Sequence, residues 1–450
     1  MRLGLDRMRA ILSHLGQPHQ ALRCVHIAGT NGKGSTAVMV AEIARAAGLR
    51  VGLYTSPHLV RFHERIVVDG QPIRPEELAE AFEAVHAAVQ AVAPEEPPTQ
   101  FEFATAMALW HLARCRVDLA VVEVGLGGRL DATNVVVPEL AVVTPVDLDH
   151  TQVLGGSLAE VAWEKAGILK PGVPVVLAPQ LPPALDVLAR RARELGCPLY
   201  RVVEATGCQN SRTDGGGERP PWWSFRFAPA ELTLSGSRFD LTGPDGLAWG
   251  GLYVGLAGHH QVQNAATAAA VAWVLSERGW PLDEGAVRAG LRSPPWEARL
   301  QVLRRDPLVL LDGAHNPAAA RAVGTSLKAL LGRLPRVLVL GMLAEKDVEG
   351  ILRELVTPGS MVIATRARSS RSPAVDPASL AALAVARGAA AAVAVEPPGA
   401  AVRLAVEAGR RWGPVLVAGS LYLAGEVLAS RDGWQGSTNP SDKLRAEPQA

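Results

Sequence analysis

Short runs of apolar and β-branched residues alternate with longer amphipathic stretches along the first half of the chain. Short apolar runs bounded by turn residues are typical of buried parallel strands, and the longer stretches between them are typical of crossover helices. The pattern therefore predicts an α/β fold with a mainly parallel sheet. The predicted strands are 25–27, 51–54, 119–124, 140–144 and 175–178, and the predicted helices are 37–47, 75–92, 104–113 and 158–166.

The same alternation restarts after Ser293-Pro294-Pro295-Trp296, a segment whose paired prolines exclude a helix and stiffen the chain. We expect two domains, an N-terminal P-loop-type parallel-sheet domain at residues 1–293 and a smaller C-terminal Rossmann-like domain at residues 298–430. The predicted strands of the second domain are 308–311, 337–340, 361–364, 392–395 and 415–418. Other predicted segments are a flexible insertion at 204–222, a small antiparallel patch at 225–253 and a disordered tail at 431–450.

A glycine-rich turn joins the first predicted strand to the first predicted helix. It comprises Gly29, Thr30, Asn31, Gly32, Lys33, Gly34, Ser35 and Thr36. At such a junction the glycines allow close backbone approach, while free N–H groups and the helix dipole favour an anion, so the turn predicts a nucleotide phosphate site. Lys33 adds charge for the outer phosphates, and Ser35 or Thr36 offers a hydroxyl to phosphate or Mg²⁺.

This turn is not a regular Walker A motif. Ile27 stands where the first glycine of that motif would be, and Gly34 separates Lys33 from Ser35. The alternative interpretation is a glycine-rich turn with a surface lysine. The position between a strand and a helix favours the phosphate site.

The composition of the 450-residue chain excludes several classes of protein. A net charge of +1 with 20% charged residues gives no strong field that would attract nucleic acid or a membrane. The four cysteines contain no C-x-x-C pair, which argues against a zinc site or a disulfide framework and fits a cytoplasmic location. No apolar run predicts a membrane span or a signal peptide. We expect a cytoplasmic monomer.

The phosphate loop and the blocks that follow it resemble the folylpolyglutamate synthases and dihydrofolate synthases, a branch of the Mur ligase superfamily. Eight blocks in the family's order carry the resemblance, which extends over residues 5–428. After the loop, the blocks are Thr55-Ser56-Pro57-His58-Leu59, residues 123–134 (EVGLGGRLDATN), Asp147-Leu148-Asp149-His150-Thr151, Glu164-Lys165-Ala166-Gly167-Ile168, His260-Gln261 with Asn264-Ala265-Ala266, Asp312-Gly313-Ala314-His315-Asn316-Pro317 and Ala418-Gly419-Ser420-Leu421.

The resemblance implies an ATP-dependent ligase that joins L-glutamate to dihydropteroate, to folates, or to both. A carboxylate is a poor electrophile, so ATP converts it to an acyl phosphate, which the amine of glutamate attacks with loss of phosphate. This chemistry needs a phosphate cradle, divalent metal and cations. The N-terminal domain would then be the ATPase and pterin-binding domain, the C-terminal domain the glutamate-ligase domain, and the cofactors ATP and two Mg²⁺ ions.

The metal ligands and the catalytic residues depend mainly on this resemblance. Glu123 ends an apolar predicted strand, where it is well placed to hold Mg²⁺, although a solvent-exposed strand-end acid is the alternative. By resemblance, Glu123 is shared by two Mg²⁺ ions, with Ser56 serving one and His150 the other. Lys165 alone fits a solvated helix lysine, but the family's matching lysine is carbamylated, which requires a neutral, partly desolvated amine. The implied catalytic residues are Lys33, Glu123, His150, Lys165 and Arg299.

Other binding residues are implied in the same way. Asn264, Arg299 and Asp312 match adenine, phosphate and ribose contacts, and His315 and Ser420 match positions that bind the incoming glutamate. Taken alone, Asp312 equally fits a capped turn and Ser420 a helix N-cap. Phe101 could stack on a flat ring, although core packing is the commoner role of a lone aromatic residue. The implied pterin contacts are Thr99, Gln100, Phe101, Glu102, Leu130, Asp131 and Ala132.

There are three alternative functions. A cell-wall amino-acid ligase carries a nucleotide-sugar domain before its phosphate loop, and only 28 residues precede Gly29 here. A regulatory nucleotide-binding module or a transport ATPase would not need Glu123, His150 and Lys165 beside a second domain with polar strand ends. A folylpolyglutamate synthase without dihydrofolate synthase activity stays open as the third.

Overall fold

The computed structural model describes residues 4–92, 95–205, 222–370 and 372–430. The chain forms two compact units, which divide between Trp296 and Glu297. This division falls at the end of the proline-containing segment, where the chain cannot continue a helix. The predicted disordered tail at 431–450 and most of the predicted insertion at 204–222 lie outside the described residues.

One large sheet organises the N-terminal unit. Its strands are β1 (Cys24–Ala28), β2 (Val51–Tyr54), β3 (Ile66–Val68), β4 (Gln71–Pro72), β5 (Leu119–Glu123), β6 (Leu140–Val143), β7 (Val175–Leu177), β8 (Leu199–Glu204), β9 (Trp223–Thr233), β10 (Gly236–Thr242) and β11 (Ala248–Val254). Their order across the sheet is β11-β10-β9-β8-β7-β6-β1-β5-β2-β3-β4. The strands from β9 to β2 are parallel, and the pairs at both edges are antiparallel.

Helices cover both faces of this sheet. They are α1 (Asp6–His14), α2 (Lys33–Ala46), α3 (Pro75–Val92), α4 (Gln100–Arg114), α5 (Thr151–Leu154), α6 (Leu158–Ala166), α7 (Pro182–Glu194), α8 (His259–Ser276) and α9 (Glu284–Leu291). Val25 and Ile27 of β1 pack with α2, α8 and α9, whereas Cys24 packs with α1, α3 and α4. Because successive side chains of a strand point to opposite faces, His26 of β1 lies on the face of Cys24.

The predicted elements occur in the structure, with three differences. Helix α2 begins at Lys33, so the phosphate loop turns directly into the helix. Helix α4 begins at Gln100, which places most of the predicted pterin segment inside a helix. The predicted antiparallel patch is β9 to β11, and it is not separate, because β9 pairs in parallel with β8 and extends the main sheet.

The C-terminal unit has the predicted smaller Rossmann-like arrangement. Its strands are β12 (Gln301–Arg305), β13 (Leu308–Leu311), β14 (Val337–Leu340), β15 (Met361–Ala364), β16 (Ala391–Ala394) and β17 (Val415–Ala418), in the order β12-β13-β17-β14-β15-β16. The edge strand β12 is antiparallel and the others are parallel. The helices are α10 (Pro317–Leu331), α11 (Val348–Leu355), α12 (Pro377–Ala386), α13 (Pro398–Trp412) and α14 (Leu421–Ala429). Within the described ranges, no helix is both long and apolar enough to cross a membrane.

Candidate active site

The phosphate loop leaves the carboxyl end of β1 and enters α2. Gly29 and Gly32 have φ angles of 150° and 86°, which residues other than glycine rarely adopt. A Cβ atom at Gly29 would overlap the Thr144 hydroxyl, and one at Gly32 would lie 2.5 Å from Oδ1 of Asn264. Glycine is therefore required at both positions because of backbone conformation and lack of space.

Hydrogen bonds to the segment after β6 hold the loop in place. The backbone N–H groups of Thr30 and Asn31 donate to the carbonyl oxygen of Pro145. The Thr30 hydroxyl donates to the carbonyl oxygen of Asp147 at 2.9 Å and accepts from the Asp147 N–H at 3.0 Å. Two neighbouring parallel strands thus fix the loop at their carboxyl ends, where ligands bind in sheets of this kind.

Three side chains of the loop and of the first turn of α2 differ in their surroundings. The half-buried Lys33 donates from Nζ to the carbonyl oxygen of Thr30 at 3.3 Å. Ser35 and Thr36 are buried, and the Thr36 hydroxyl has no hydrogen-bond partner among the described residues. A buried hydroxyl without a partner is costly, so Thr36 is a candidate to contact a bound group.

Two residues far along the chain lie against the loop. Asn264 on α8 faces Gly32, and its Nδ2 donates to Oε1 of Gln261 at 3.1 Å. The ring of Trp296 lies against Gly34, since a Cβ there would be 2.5 Å from the ring. Family resemblance implies a nucleotide contact for Asn264, whereas Trp296 is predictable from the sequence only as part of a linker.

Glu123 and Ser56 come together at the carboxyl ends of β5 and β2. The backbone N–H of Ser56 donates to Oε2 of Glu123 at 3.0 Å. Glu123 is only 4% exposed, so it is not the solvent-exposed strand-end acid that was the alternative. A buried carboxylate beside a serine provides oxygen ligands of the kind that magnesium prefers.

Lys165 is buried on α6 and reaches the phosphate loop. The residue is only 3% exposed, and its Nζ donates to the carbonyl oxygen of Gly29 at 2.9 Å. Burial and the charge of Lys33 lower the pKa of Lys165 to about 7, whereas Asp149 and Asp131 oppose this shift. Because Lys165 is buried, the alternative of a solvated helix lysine is wrong. Because its pKa is lowered, a large fraction of the amine is neutral near pH 7.

His150 occupies a different environment. It is exposed, has a φ angle of 51°, and its Nε2 lies 3.9 Å from Oδ1 of Asp149. The Asp149 carboxylate also accepts a hydrogen bond from the His150 N–H. In the part of the chain that the structure describes, no three His, Cys, Asp or Glu side chains form a group that could hold a metal ion.

A hydrogen-bonded loop joins β5 to a short 3-10 helix at Ala132–Val135. Asp131, 6% exposed, accepts from the N–H of Leu126 at 2.8 Å and from the N–H and hydroxyl of Thr133 at 3.0 and 2.5 Å. Burial raises the pKa of Asp131, although these hydrogen bonds oppose the rise. Asn134 donates from Nδ2 to the carbonyl oxygens of Arg129 and Gly167, which ties the loop to the turn after Lys165. Leu130 is half-buried and Ala132 is buried in this loop.

The residues 99–102 have mainly structural contacts. Thr99 caps α4, and its hydroxyl accepts from the Glu102 N–H at 3.2 Å. Glu102 is buried, with both carboxylate oxygens bonded to the guanidinium of Arg7, and Oε2 also accepts from the Thr99 N–H. Phe101 stacks on Tyr54 with ring centres 6.3 Å apart, which is the core-packing alternative, and Gln100 is exposed.

The polar residues of the C-terminal unit follow its parallel strands. The buried Asp312 directly follows β13 and accepts from the N–H groups of Leu300 and Ala314, each at 2.8 Å. Burial raises its pKa, and the charge of Arg299 opposes this. Nδ1 of His315 donates to the carbonyl oxygen of Gly313 at 2.9 Å. Ser420 accepts from the Tyr422 N–H and caps α14, so its N-cap alternative holds.

Comparison with known proteins places this chain in a family. A family model of the Mur ligase middle domain matches residues 27–272, and one of the dihydrofolate synthetase C-terminal domain matches residues 299–430. The folylpolyglutamate synthase of Lacticaseibacillus casei is 38% identical over 360 residues, which are 79% of this chain and 79% of that protein. The chain belongs to the folylpolyglutamate synthase and dihydrofolate synthase family.

Two other family members are similar in sequence and in structure. The dihydrofolate synthase/folylpolyglutamate synthase of Escherichia coli is 36% identical over 78% of this chain and 74% of that protein. The corresponding protein of Mycobacterium tuberculosis is 37% identical over 84% of this chain and 77% of that protein. The E. coli structure in complex with DHPP and ADP has a TM-score of 0.81 at 29% identity, covering 97% of this chain and 95% of that one. The M. tuberculosis folylpolyglutamate synthase complexed with ADP has a TM-score of 0.83 at 33% identity, covering 96% and 95%. The chain is accordingly a ligase of the Mur superfamily.

Proposed function

We propose that this protein ligates L-glutamate to the carboxylate of dihydropteroate and of folates that already carry glutamate, and uses ATP to do so. The carboxylate oxygen attacks the γ-phosphorus and ADP leaves. The amine of glutamate then attacks the acyl carbon, phosphate leaves, and the amine gives up a proton as the amide forms. The observation that carries the proposal is the convergence of the buried Lys165 on Gly29, at the start of the phosphate loop.

The nucleotide is assigned to the phosphate loop. Lys33 supplies positive charge where the γ-phosphate would lie, and backbone N–H groups at the start of α2 favour the other phosphates. Asn264 packs against Gly32 of the phosphate loop, which supports its assignment to the nucleotide, and its assignment to the adenine follows from family resemblance. The complexes of the E. coli and M. tuberculosis relatives with ADP support a nucleotide site in this chain.

Magnesium fits part of the proposed ligand set. The buried carboxylate of Glu123 beside Ser56 provides hard oxygen ligands, and we assign one Mg²⁺ ion to this pair. A second ion is assigned to Glu123 and His150, by family resemblance. Bound Mg²⁺ would neutralise negative charge on the phosphates during transfer. Glu123 and Ser56 are held by the carboxyl ends of their strands, so the protein supplies this pair already oriented.

Carbamylation of Lys165 is proposed because the amine meets the chemical condition for it. A neutral amine reacts with CO₂, and burial together with Lys33 keeps much of Lys165 neutral near pH 7. The amine nitrogen bonds to the carbon of CO₂ and releases a proton, so the product is an anionic carbamate, which would also remove the repulsion between Lys33 and Lys165. The carbamate would then be available as a metal ligand.

The carboxylate substrate and glutamate are assigned to separate sets of residues. The pterin is assigned to the loop with Leu130, Asp131 and Ala132 and to the start of α4, where Glu102 acts by holding Arg7 and Thr99. Glutamate is assigned to His315 and Ser420 of the C-terminal unit, and Arg299 and Asp312 are assigned to the phosphate and ribose. The free thiols of Cys24, Cys115 and Cys197 support a cytoplasmic location, and a monomer is proposed.

One assay separates the activities. Purified enzyme is given ATP, Mg²⁺ and L-glutamate with either dihydropteroate or a reduced folate, and ADP release is measured for each. Release with both substrates supports the bifunctional ligase. Release with reduced folate alone leaves a folylpolyglutamate synthase, and ATP hydrolysis that is independent of both substrates supports a nucleotide-binding module without ligase chemistry.

A further inference from the structure

A buried histidine of the central strand is bonded to the loop assigned to the pterin. His26 is fully buried in β1, between β5 and β6, and its position is three residues before Gly29 of the phosphate loop. Its Nε2 lies 2.8 Å from the hydroxyl oxygen of Thr133. Thr133, also fully buried, bonds in turn to Asp131.

The donors and acceptors of this chain can be assigned from chemistry. Oδ1 of Asp131 lies 2.5 Å from the Thr133 hydroxyl and accepts its only proton. Nε2 of His26 must then be the donor to Thr133, so the neutral ring carries its proton on Nε2. Burial lowers the pKa of His26 to about 3, with a further contribution from Lys170, which agrees with a neutral ring. Nδ1 is buried and has no partner among the described residues, as expected of the unprotonated nitrogen.

We propose that His26 is a positioning residue for the pterin-binding loop, acting through Thr133 to fix the carboxylate of Asp131. This role rests on the proposed function, because Asp131 belongs to the loop assigned to the pterin. His26 lies on the strand that leads into the phosphate loop. The same strand therefore sets the position of the phosphate cradle and, through two hydrogen bonds, that of the substrate loop.

The consequence for binding follows from the cost of an unpaired buried group. Without the Nε2 donor, the buried Thr133 hydroxyl keeps its bond to Asp131 but loses the hydrogen bond that it accepts, and the loop can relax. A loop that must be ordered by the substrate binds the substrate more weakly. Such a defect would weaken binding of the pterin but leave the nucleotide site intact, because the contacts of Thr30 with Pro145 and Asp147 do not involve Thr133.

The test compares variants with and without the hydrogen bonds. His26→Leu and Thr133→Val remove a donor at similar volume, whereas His26→Gln and Thr133→Ser keep one. We expect the first pair to raise the KM for reduced folate or dihydropteroate about tenfold, with the KM for ATP within about twofold of wild type. For the second pair, the KM for the pterin substrate should stay within about threefold of wild type. In the double variant His26→Leu/Thr133→Val, this KM should be no higher than in the poorer single variant. His111→Leu, a buried histidine on α4, is the matched control.

Two kinetic outcomes overturn the proposal: an unchanged KM for the pterin substrate in folded His26→Leu, or an equal rise in the KM for ATP. A ¹⁵N NMR spectrum of the wild-type histidines provides a test that requires no stable variant with a leucine. The signals of His26 are assigned by their loss in His26→Gln. A neutral ring with the proton on Nε2 supports the hydrogen-bond chain from His26 through Thr133 to Asp131, and a proton on Nδ1 overturns it. If wild-type protein releases no ADP with any pterin substrate, the proposed function fails, and the tautomer still decides whether the hydrogen-bond chain exists.

Discussion

The amine nitrogen of Lys165 donates a 2.9 Å hydrogen bond to the carbonyl oxygen of Gly29, across 136 residues of sequence. Gly29 begins the phosphate loop and Lys165 lies near the end of α6. The contact places a buried amine beside the loop where nucleotide phosphates are proposed to bind. Burial lowers the pKa of Lys165, and the charge of a second amine, Lys33, lowers it further.

The burial of Lys165 should make stability depend on pH. Its pKa is about 7 in the folded protein, against 10.5 ordinarily, so the unfolded state binds more protons between these values and stability rises with pH there. Lys165→Met should therefore be more stable than wild type by about 2 kcal/mol at pH 6. Its advantage should shrink towards pH 10. Urea unfolding in CO₂-free buffer measures this, with the exposed Lys328→Met as control, and a difference that is independent of pH would contradict it.

Lys165 should carry a carbamate in the active enzyme. Mass-sensitive or crystallographic inspection at saturating bicarbonate should show added CO₂ on this residue. Lys165→Ala should lose ligase activity, and short carboxylates should restore part of it by replacing the missing anion. A free amine in a fully active, metal-loaded crystal would rule the modification out.

Lys33→Ala should keep the fold and lose ligation. The half-buried lysine contacts the loop only through the Thr30 carbonyl among its described hydrogen bonds, so its loss leaves the core unchanged. Loss of the charge should lower kcat by about 10³-fold, with a smaller change in KM. ADP-release kinetics and thermal unfolding check both parts, with Lys328→Ala as control. Near-normal turnover in a folded variant would refute the phosphate-loop assignment.

Gly29→Ala should be much more harmful than a similar change elsewhere. The new Cβ would overlap the Thr144 hydroxyl, and the φ angle of 150° is unfavourable for alanine. We expect a loss of about 3 kcal/mol in the free energy of unfolding. Gly172→Ala is the matched control, because φ is 72° there but nothing lies within 4 Å, and it should cost about 1 kcal/mol. Equal losses in the two variants would show that the contact with Thr144 is unimportant.

Glu102 should act on the substrate only through Arg7 and α4. Its carboxylate is saturated by Arg7 and the Thr99 N–H, so Glu102→Gln and Arg7→Met should each cost about 2 kcal/mol of stability. The double variant should cost little more than either single change. Both single variants should change the KM for the pterin substrate alike. A rise confined to Glu102→Gln would indicate direct contact between Glu102 and the substrate.

The sequence determined the local features of this protein. The phosphate loop was predictable because strand, glycines and helix are adjacent, and the conformation of Gly32 depends on nearby backbone. The parallel strands were predictable because buried strands form short apolar runs. Helix α8 was not predicted; its described residues are buried nearly all round, so it lacks the polar face that marks an amphipathic helix.

Only the tertiary structure decided which distant groups meet. Nothing near Lys165 in the sequence indicates that its amine is buried, because the desolvation comes from packing against a loop that precedes it by more than a hundred residues. The same holds for Glu102, which family resemblance assigns to the substrate but which bonds to Arg7 in the structure. It holds also for His26, whose bond to Thr133 joins β1 to the loop after β5. Sequence periodicity reports which face of an element is apolar, whereas burial, pKa and hydrogen bonding depend on neighbours that strand order brings together.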